Sequence, residues 1–152
     1  MKNFINIADI NEQDLRKIID HAKSQKKKRS NINKSATDPE KPLIDKTLIM
    51  LFEKASTRTR LSFELAIKQL GGHLLVLDSK ESHYGSGDES VYDTAKVLSQ
   101  YGDIVMMRTH KHKHLLEFSK HLDIPIINGL TDLSHPCQIM SCLLYTSPSP
   151  RD

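Results

Sequence analysis

The chain has no tryptophan, two cysteines and only 5% aromatic residues. With so few flat side chains, and basic residues that form no stacking platform, it lacks what a single-stranded nucleic acid needs. Cys137 and Cys142 do not make a disulfide framework. No apolar stretch approaches the length of a membrane span. The N-terminus, Met1-Lys2-Asn3-Phe4-Ile5, meets Asp9 and Glu12 too soon to hold the apolar core of a secretion signal. A net charge of +3 is too small to imply a nucleic-acid partner by itself. These absences point to the cytosol, with neither membrane nor nucleic acid as partner.

What is present suits a folded domain. At 152 residues, 38% hydrophobic and 27% charged, the chain is long enough for one core and too apolar to be disordered. Leu15, Ile18, Ile19 and Ala22 form one stripe on a helix from Asn11 to Lys23, with Asn11 as N-cap. The run Lys26 to Arg29 reads as the solvated end of that helix, where cations suit the dipole. Residues 24–45 are polar and read as a loop. Leu48 to Phe52 is a continuous apolar run, the mark of a strand covered on both faces.

After the turn Glu53 to Ser56, Phe63, Ala66, Ile67 and Leu70 mark a helix closed by Gly71-Gly72. Further strands are expected at Leu74 to Leu77, Ile104 to Met107 and Ile124 to Ile127. Helices are expected around Val91, Ala95 and Leu98 behind an N-cap at Ser90, and around Leu115, Phe118 and Leu122. Strand–helix alternation at these lengths predicts an α/β fold: a three-layer parallel sheet flanked by helices, built from right-handed βαβ units.

In such sheets ligands bind beyond the carboxyl ends of the strands. Three clusters fall there. Ser56-Thr57-Arg58-Thr59-Arg60 puts two guanidinium groups and three hydroxyls at a strand-to-helix turn. A helix starting near Thr57 adds backbone N–H groups, which together suit a small, multiply charged oxyanion. The alternative is a hydroxyl-rich helix cap beside surface arginines. Arg108 follows a buried strand, where a charge needs an anion or a salt bridge. His135 precedes Pro136, which suits the first position of a helix. Gln138 could read an amide, and Cys137 taken alone is a small buried filler. The string is neither a Walker loop nor a dinucleotide fingerprint. His110, His112 and His114 alternate with lysines; on a helix His110 and His114 would share a face, but no carboxylate or cysteine sits at matching spacing, and they read as a polar helix start.

Several phrases together resemble the aspartate/ornithine transcarbamylase family. They are Phe52-Glu53-Lys54 leading into Ser56 to Arg60, Gln69-Leu70-Gly71-Gly72, Asp93 to Leu98, and Ile127-Asn128-Gly129-Leu130-Thr131-Asp132 leading into Ser134 to Gln138. The last phrase is similar to the ornithine branch. The match runs from Asn3 to Ser141.

The resemblance implies a transcarbamylase-like N-terminal domain that binds carbamoyl phosphate. A second domain would bind L-ornithine, and the full-length enzyme would be a homotrimer. The implied reaction carries the carbamoyl group to the δ-amine of ornithine, giving citrulline and phosphate, with no metal or organic cofactor. Ser56, Thr57, Arg58 and Thr59 would hold the phosphate, with Arg58 also near the carbonyl. Arg108 and His135 would polarise the carbonyl oxygen. Gln138 and the backbone around Pro136 and Cys137 would hold the carbamoyl NH₂. Arg60 would be structural. The family commonly has a Gln in the loop before Ser90; here His83 is the nearest match, in a loop that is one residue longer. Two further readings stay open: a transcarbamylase with another amine acceptor, and a phosphate-binding domain without chemistry.

The tail from Cys142 to Asp152 changes character, with two Ser-Pro pairs and no periodicity. One codon choice for these eleven residues spells a transposase-type sequencing-library adapter. Residues 1–141 are therefore expected to be the native domain and 142–152 a non-native tail. Sequencing the source DNA across codon 141 from an independent library is expected to run on into a second α/β domain with a His-Cys-Leu-Pro-like motif. The same eleven codons followed by a stop would instead make this a natural half-enzyme.

Overall fold

The computed structural model describes residues 3–78 and 89–146. Its strands are β1 (Thr47–Phe52), β2 (His73–Asp78), β3 (Ile104–Arg108) and β4 (Ile126–Leu130). Its helices are α1 (Glu12–Lys28), α2 (Thr57–Gln69), α3 (Val91–Tyr101), α4 (His112–His121) and α5 (Pro136–Thr146). The four strands form one parallel sheet in the order β2-β1-β3-β4. The three-layer fold is the one expected.

Alternation along the strands sorts the core into two. Ile49, Leu51, Val105, Met107 and Ile126 face α3 and α4, meeting Ala95, Leu98, Leu115 and Phe118. Leu48, Met50, Phe52 and Met106 face the other way, toward Ile67 and Phe63 of α2. Central strands buried on both faces explain the unbroken apolar runs. The chain leaves β1 toward β2 on one side and β3 toward β4 on the other. The point between β1 and β3 is thus a topological switch point, where α/β sheets bind ligands.

Helix starts are fixed by local chemistry. Asn11 Oδ1 accepts from Asp14 N at 2.8 Å, and Ser90 Oγ accepts from Asp93 N at 3.1 Å. At the end of α2 the chain reverses through Gly71, with φ of +84°. Any other residue there would be strained, and its Cβ would crowd the Lys41 side chain.

β1, β2 and β3 each differ from the sequence reading by one residue at one or both ends, and larger differences lie elsewhere. The helix α1 runs on to Lys28, followed by a 3₁₀ turn at Arg29–Asn31. Arg29 is not solvated: its guanidinium pairs with the buried carboxylate of Asp38 and donates to Ala36 O at 3.0 Å. Lys26 lies over the Tyr145 ring at 4.1 Å, and Lys28 pairs with Glu40 at 3.0 Å. The run Lys26 to Arg29 therefore docks the 29–46 loop and α5 rather than facing only water.

The strand β4 begins at Ile126, because Pro125 has no N–H to give; its carbonyl still accepts from Val105 N at 2.9 Å. At its other end β4 continues through Gly129 to Leu130. Met107 pairs with Asn128 but Arg108 with Leu130, so Gly129 is the extra residue of a bulge. The outer edge of β4 is covered by Phe4, bridged in parallel to Ile127. The helix α5 extends to Thr146; adding turns to a formed helix is cheap. Among the described residues, no helix is long and apolar enough to cross a membrane.

A Cβ at Gly129 would lie 2.3 Å from Met106 Sδ, which is wholly buried, and 3.2 Å from Met107 O. Gly129→Ala is expected to cost about 1–3 kcal/mol, the usual penalty of overpacking. Urea unfolding of the two chains checks this, and an unchanged midpoint would mean that the bulge can open without cost.

Candidate functional site

The register places Phe52 of β1 opposite Arg108 of β3, so both strands leave the sheet at one level. Beyond Phe52 a short turn delivers the start of α2. Ser56 is its N-cap: Ser56 Oγ accepts from Thr59 N at 3.3 Å. The N–H groups of Thr57 and Arg58 then have no intrahelical acceptor, and the positive end of the helix dipole adds to them. Thr57 and Arg58 are exposed, while Thr59 is buried. Across the switch point, Arg108 Nη1 donates to Thr59 Oγ1 at 3.0 Å. Among the described residues no carboxylate pairs with Arg108, and its hydrogen-bond partner there is the Thr59 hydroxyl.

Glu53 joins the two turns. Its backbone N–H donates to Arg108 O at 2.9 Å. Its carboxylate accepts from the buried Thr109 hydroxyl and, at 3.4 Å, from His110 N. Glu53 Oε1 also lies 3.6 Å from His114 Nδ1.

His135 comes from the loop between β4 and α5. That loop folds on Thr131: Thr131 Oγ1 accepts from Leu133 N and Ser134 N at 3.3 and 3.2 Å, while Thr131 N donates to Ser134 O at 3.0 Å. His112 Nδ1 lies 2.9 Å from the Thr131 hydroxyl, and His112 N donates to Asp132 Oδ1 at 2.9 Å. Pro136 then opens α5 as its first residue and is buried. At the bulge Leu130 adopts φ of 153°, held by Asn128 Oδ1, which accepts from Leu130 N at 3.0 Å. A leucine in that region of backbone space is strained, as residues beside binding sites often are.

These pieces enclose a cleft of about 600 Å³ lined by Ala55, Ser56, Thr57, Arg58, Thr59, Arg108, Leu130, His135 and Gln138. All three clusters therefore meet. Pro136 and Cys137 stand behind the wall, and the Cys137 thiol points to Asn128 O at 3.6 Å. Burial pushes that thiol up to about 11, so it stays protonated and is no nucleophile. Arg60 lies outside this cleft. It lines a neighbouring one of about 490 Å³ with Leu61, Val76 and Asp78. His83 falls outside the described residues. His110 precedes α4 instead of joining it, so it shares no helix face with His114.

The cleft is cationic and has no carboxylate in its lining. Burial lowers the Arg108 pKa below the usual arginine value. Burial first, and then the Arg108 charge, lowers the His135 pKa, so the ring is neutral at pH 7. Arg108 Nε and His135 Nδ1 are buried atoms with no hydrogen-bond partner among the described residues. The arrangement can hold an anion at the start of α2 and polarise a second oxygen between Arg108 and His135. Sequence reasoning gave no role to Asn128, Glu53 or Leu130. Asn128 had a signal, a polar amide inside an apolar strand directly before glycine.

Comparison with known proteins follows the same lines. A family described as aspartate/ornithine carbamoyltransferase, carbamoyl-P binding domain, matches residues 2–147. An ornithine carbamoyltransferase of Rhizorhabdus wittichii is 46% identical over 142 residues, covering 93% of this chain and 46% of that protein. The crystal structure of the anabolic ornithine carbamoyltransferase of Campylobacter jejuni superposes with a TM-score of 0.82 at 43% identity, over 95% of this chain and 44% of that one. The catalytic subunit of M. jannaschii aspartate transcarbamoylase gives a TM-score of 0.82 at 33% identity, over 95% of this chain and 46% of that one. The chain thus spans less than half the length of the relatives it matches. With the cationic switch-point cleft, its lining and the match over residues 2–147 in hand, the chain belongs to the aspartate/ornithine carbamoyltransferase family, in its carbamoyl phosphate-binding domain.

Proposed function

We propose that this chain is the carbamoyl phosphate half of an ornithine carbamoyltransferase. The observation that carries the reading is one cleft lined by Ser56, Thr57, Arg58, Thr59, Arg108, His135 and Gln138 and free of carboxylates. Phosphate sits against the start of α2, on the Thr57 and Arg58 N–H groups, the hydroxyls and the Arg58 guanidinium. The carbonyl oxygen lies between Arg108 and His135, and Gln138 with the first turn of α5 takes the carbamoyl NH₂. L-Ornithine arrives on a second domain. Its uncharged δ-nitrogen attacks the carbonyl carbon, and the oxyanion of the tetrahedral intermediate is stabilised by Arg108 and His135. The bond to the phosphate oxygen breaks, the nitrogen loses a proton, and citrulline and phosphate result. Arg58, Arg108 and His135 are the catalytic residues of this scheme.

Residues 1–141 form the native part of the domain in this proposal, and 142–152 the appended tail. The assembly is a homotrimer in the cytosol. Exposed Leu61 and Leu65, one turn apart on α2, support an association surface. Cys137, the cysteine of residues 1–141, is free, in keeping with a reducing compartment. An acceptor other than ornithine would use the same half-site, as the likeness to an aspartate transcarbamoylase subunit illustrates. The names of the other relatives favour ornithine.

Arg58 is exposed. Arg58→Ala is therefore expected to leave stability within about 0.5 kcal/mol. It should weaken carbamoyl phosphate binding about 10- to 100-fold, the worth of a charge-assisted contact. Calorimetric titration beside urea unfolding reads both, and unchanged affinity would remove Arg58 from the site. A second expectation concerns pH. The unfolded imidazole titrates near about 6.5, while folding lowers the His135 pKa below its usual value. As pH falls through that window the unfolded chain takes up the proton first, so stability declines with acid. In His135→Gln the loss of urea midpoint between about pH 7.5 and 5.5 should shrink. An identical loss would show that His135 is not the group held neutral.

A further inference from the structure

We propose that Asn6, acting with Asn128 on the Ser134 hydroxyl, is a positioning residue for His135, an inference that rests on the carbamoyl phosphate site proposed above. Asn128 is wholly buried in β4. Its Nδ2 donates to Ile5 O at 3.0 Å and to Ser134 Oγ at 3.0 Å. The Ser134 hydroxyl in turn donates to Asn6 Oδ1 at 2.7 Å. Every proton in this chain has one direction. An amide has two N–H groups and both are used; a hydroxyl has one proton and it goes to Asn6. Bonds in series polarise one another, and a buried network satisfied at every member fixes one arrangement.

Ser134 immediately precedes His135. The first half of the loop is tied to α4, through His112 to Thr131 and Asp132. The bonds between Thr131 and Ser134 are local, so they shape the loop without placing its second half against the sheet. That placement comes from two sides, Asn128 of β4 donating to the Ser134 hydroxyl and the N-terminal segment bringing Asn6 to accept from it. Phe4 N donates to Ile126 O and Asn128 N donates to Phe4 O, both at 2.8 Å, so the segment is docked along β4. Asn3 Oδ1 accepts from Ile126 N at 3.1 Å. Docking delivers Asn6 to Ser134 across 128 positions of sequence. The N-terminal segment thereby does two things: it covers a sheet edge and it helps to set the His135 ring.

The test uses the 152-residue chain. Asn6→Leu removes the acceptor, Asn6→Asp combined with Asp9→Asn keeps it without setting two carboxylates together, and Asn3→Ala cuts an edge bond without touching the relay. Two quantities are read: the His135 ring signals in long-range ¹H–¹⁵N spectra, and affinities for carbamoyl phosphate and inorganic phosphate. In Asn6→Leu the ring signals are expected to move, and carbamoyl phosphate to bind about 5-fold more weakly or worse, roughly the worth of one lost hydrogen bond. Inorganic phosphate, held by the start of α2, should change by less than about 2-fold. Asn6→Asp with Asp9→Asn should restore the ring signals, and Asn3→Ala should lower the urea midpoint alone. Unmoved ring signals in Asn6→Leu, equal movement in Asn3→Ala, or equal weakening of both ligands would overturn the relay. If Asn6→Leu does not fold, Ser134→Ala is read by the same criteria. If the unmutated chain binds neither ligand, the proposed function fails, and the ring signals alone decide the relay.

Discussion

The level pairing of Phe52 with Arg108 is the constraint on which the rest depends. It makes the start of α2 and the end of β3 arrive at the same height on either side of the switch point. From that height a single hydrogen bond, Arg108 Nη1 to Thr59 Oγ1 at 3.0 Å, closes the gap. A slip of one residue would turn Leu48, Met50 and Phe52 to the wrong face, so the two cores defend the register. The geometry of the cleft is in this sense a by-product of hydrophobic packing several residues below it.

The third wall is held differently. His135 is on no strand, and its approach depends on polar atoms: Thr131 within the loop, His112 on α4, and the buried amide of Asn128. Polar networks are exact where they are satisfied and fail badly where they are not. The cleft therefore combines a side set by apolar burial with a side set by hydrogen bonds. Glu53 belongs to the first side as a strut, joining the turn after β1 to the turn after β3.

Much of this was legible in sequence because it is local. Five consecutive apolar residues announced β1, Ser56 and Ser90 announced helix starts, and Ser56 to Arg60 is one contiguous string. What escaped was long-range or aperiodic. Arg29 looked like one more cation in a run, and its partner Asp38 lies in a loop with no period to follow. The extent of β4 is hidden because Pro125 delays the strand start to Ile126, while the bulge at Gly129 breaks the pairing rhythm beyond Ile127. Asn128 carries no period to follow, and its partner Ile5 stands more than a hundred residues away, as does Asn6, the partner of the Ser134 hydroxyl that Asn128 also holds.

Arg108 keeps its charge at the rim of a core with no acidic side chain facing it among the described residues. A cation so placed makes the folded state costlier than it would be with an anion beside it. Any anion that takes up that place binds the folded chain and not the unfolded one. It then acts as a folding cofactor by mass action: about 2.7 kcal/mol at a hundredfold excess over its dissociation constant. Under the proposed function that anion is the substrate's phosphate or carbonyl oxygen, and the working stability of the domain would then follow the concentration of its own ligand.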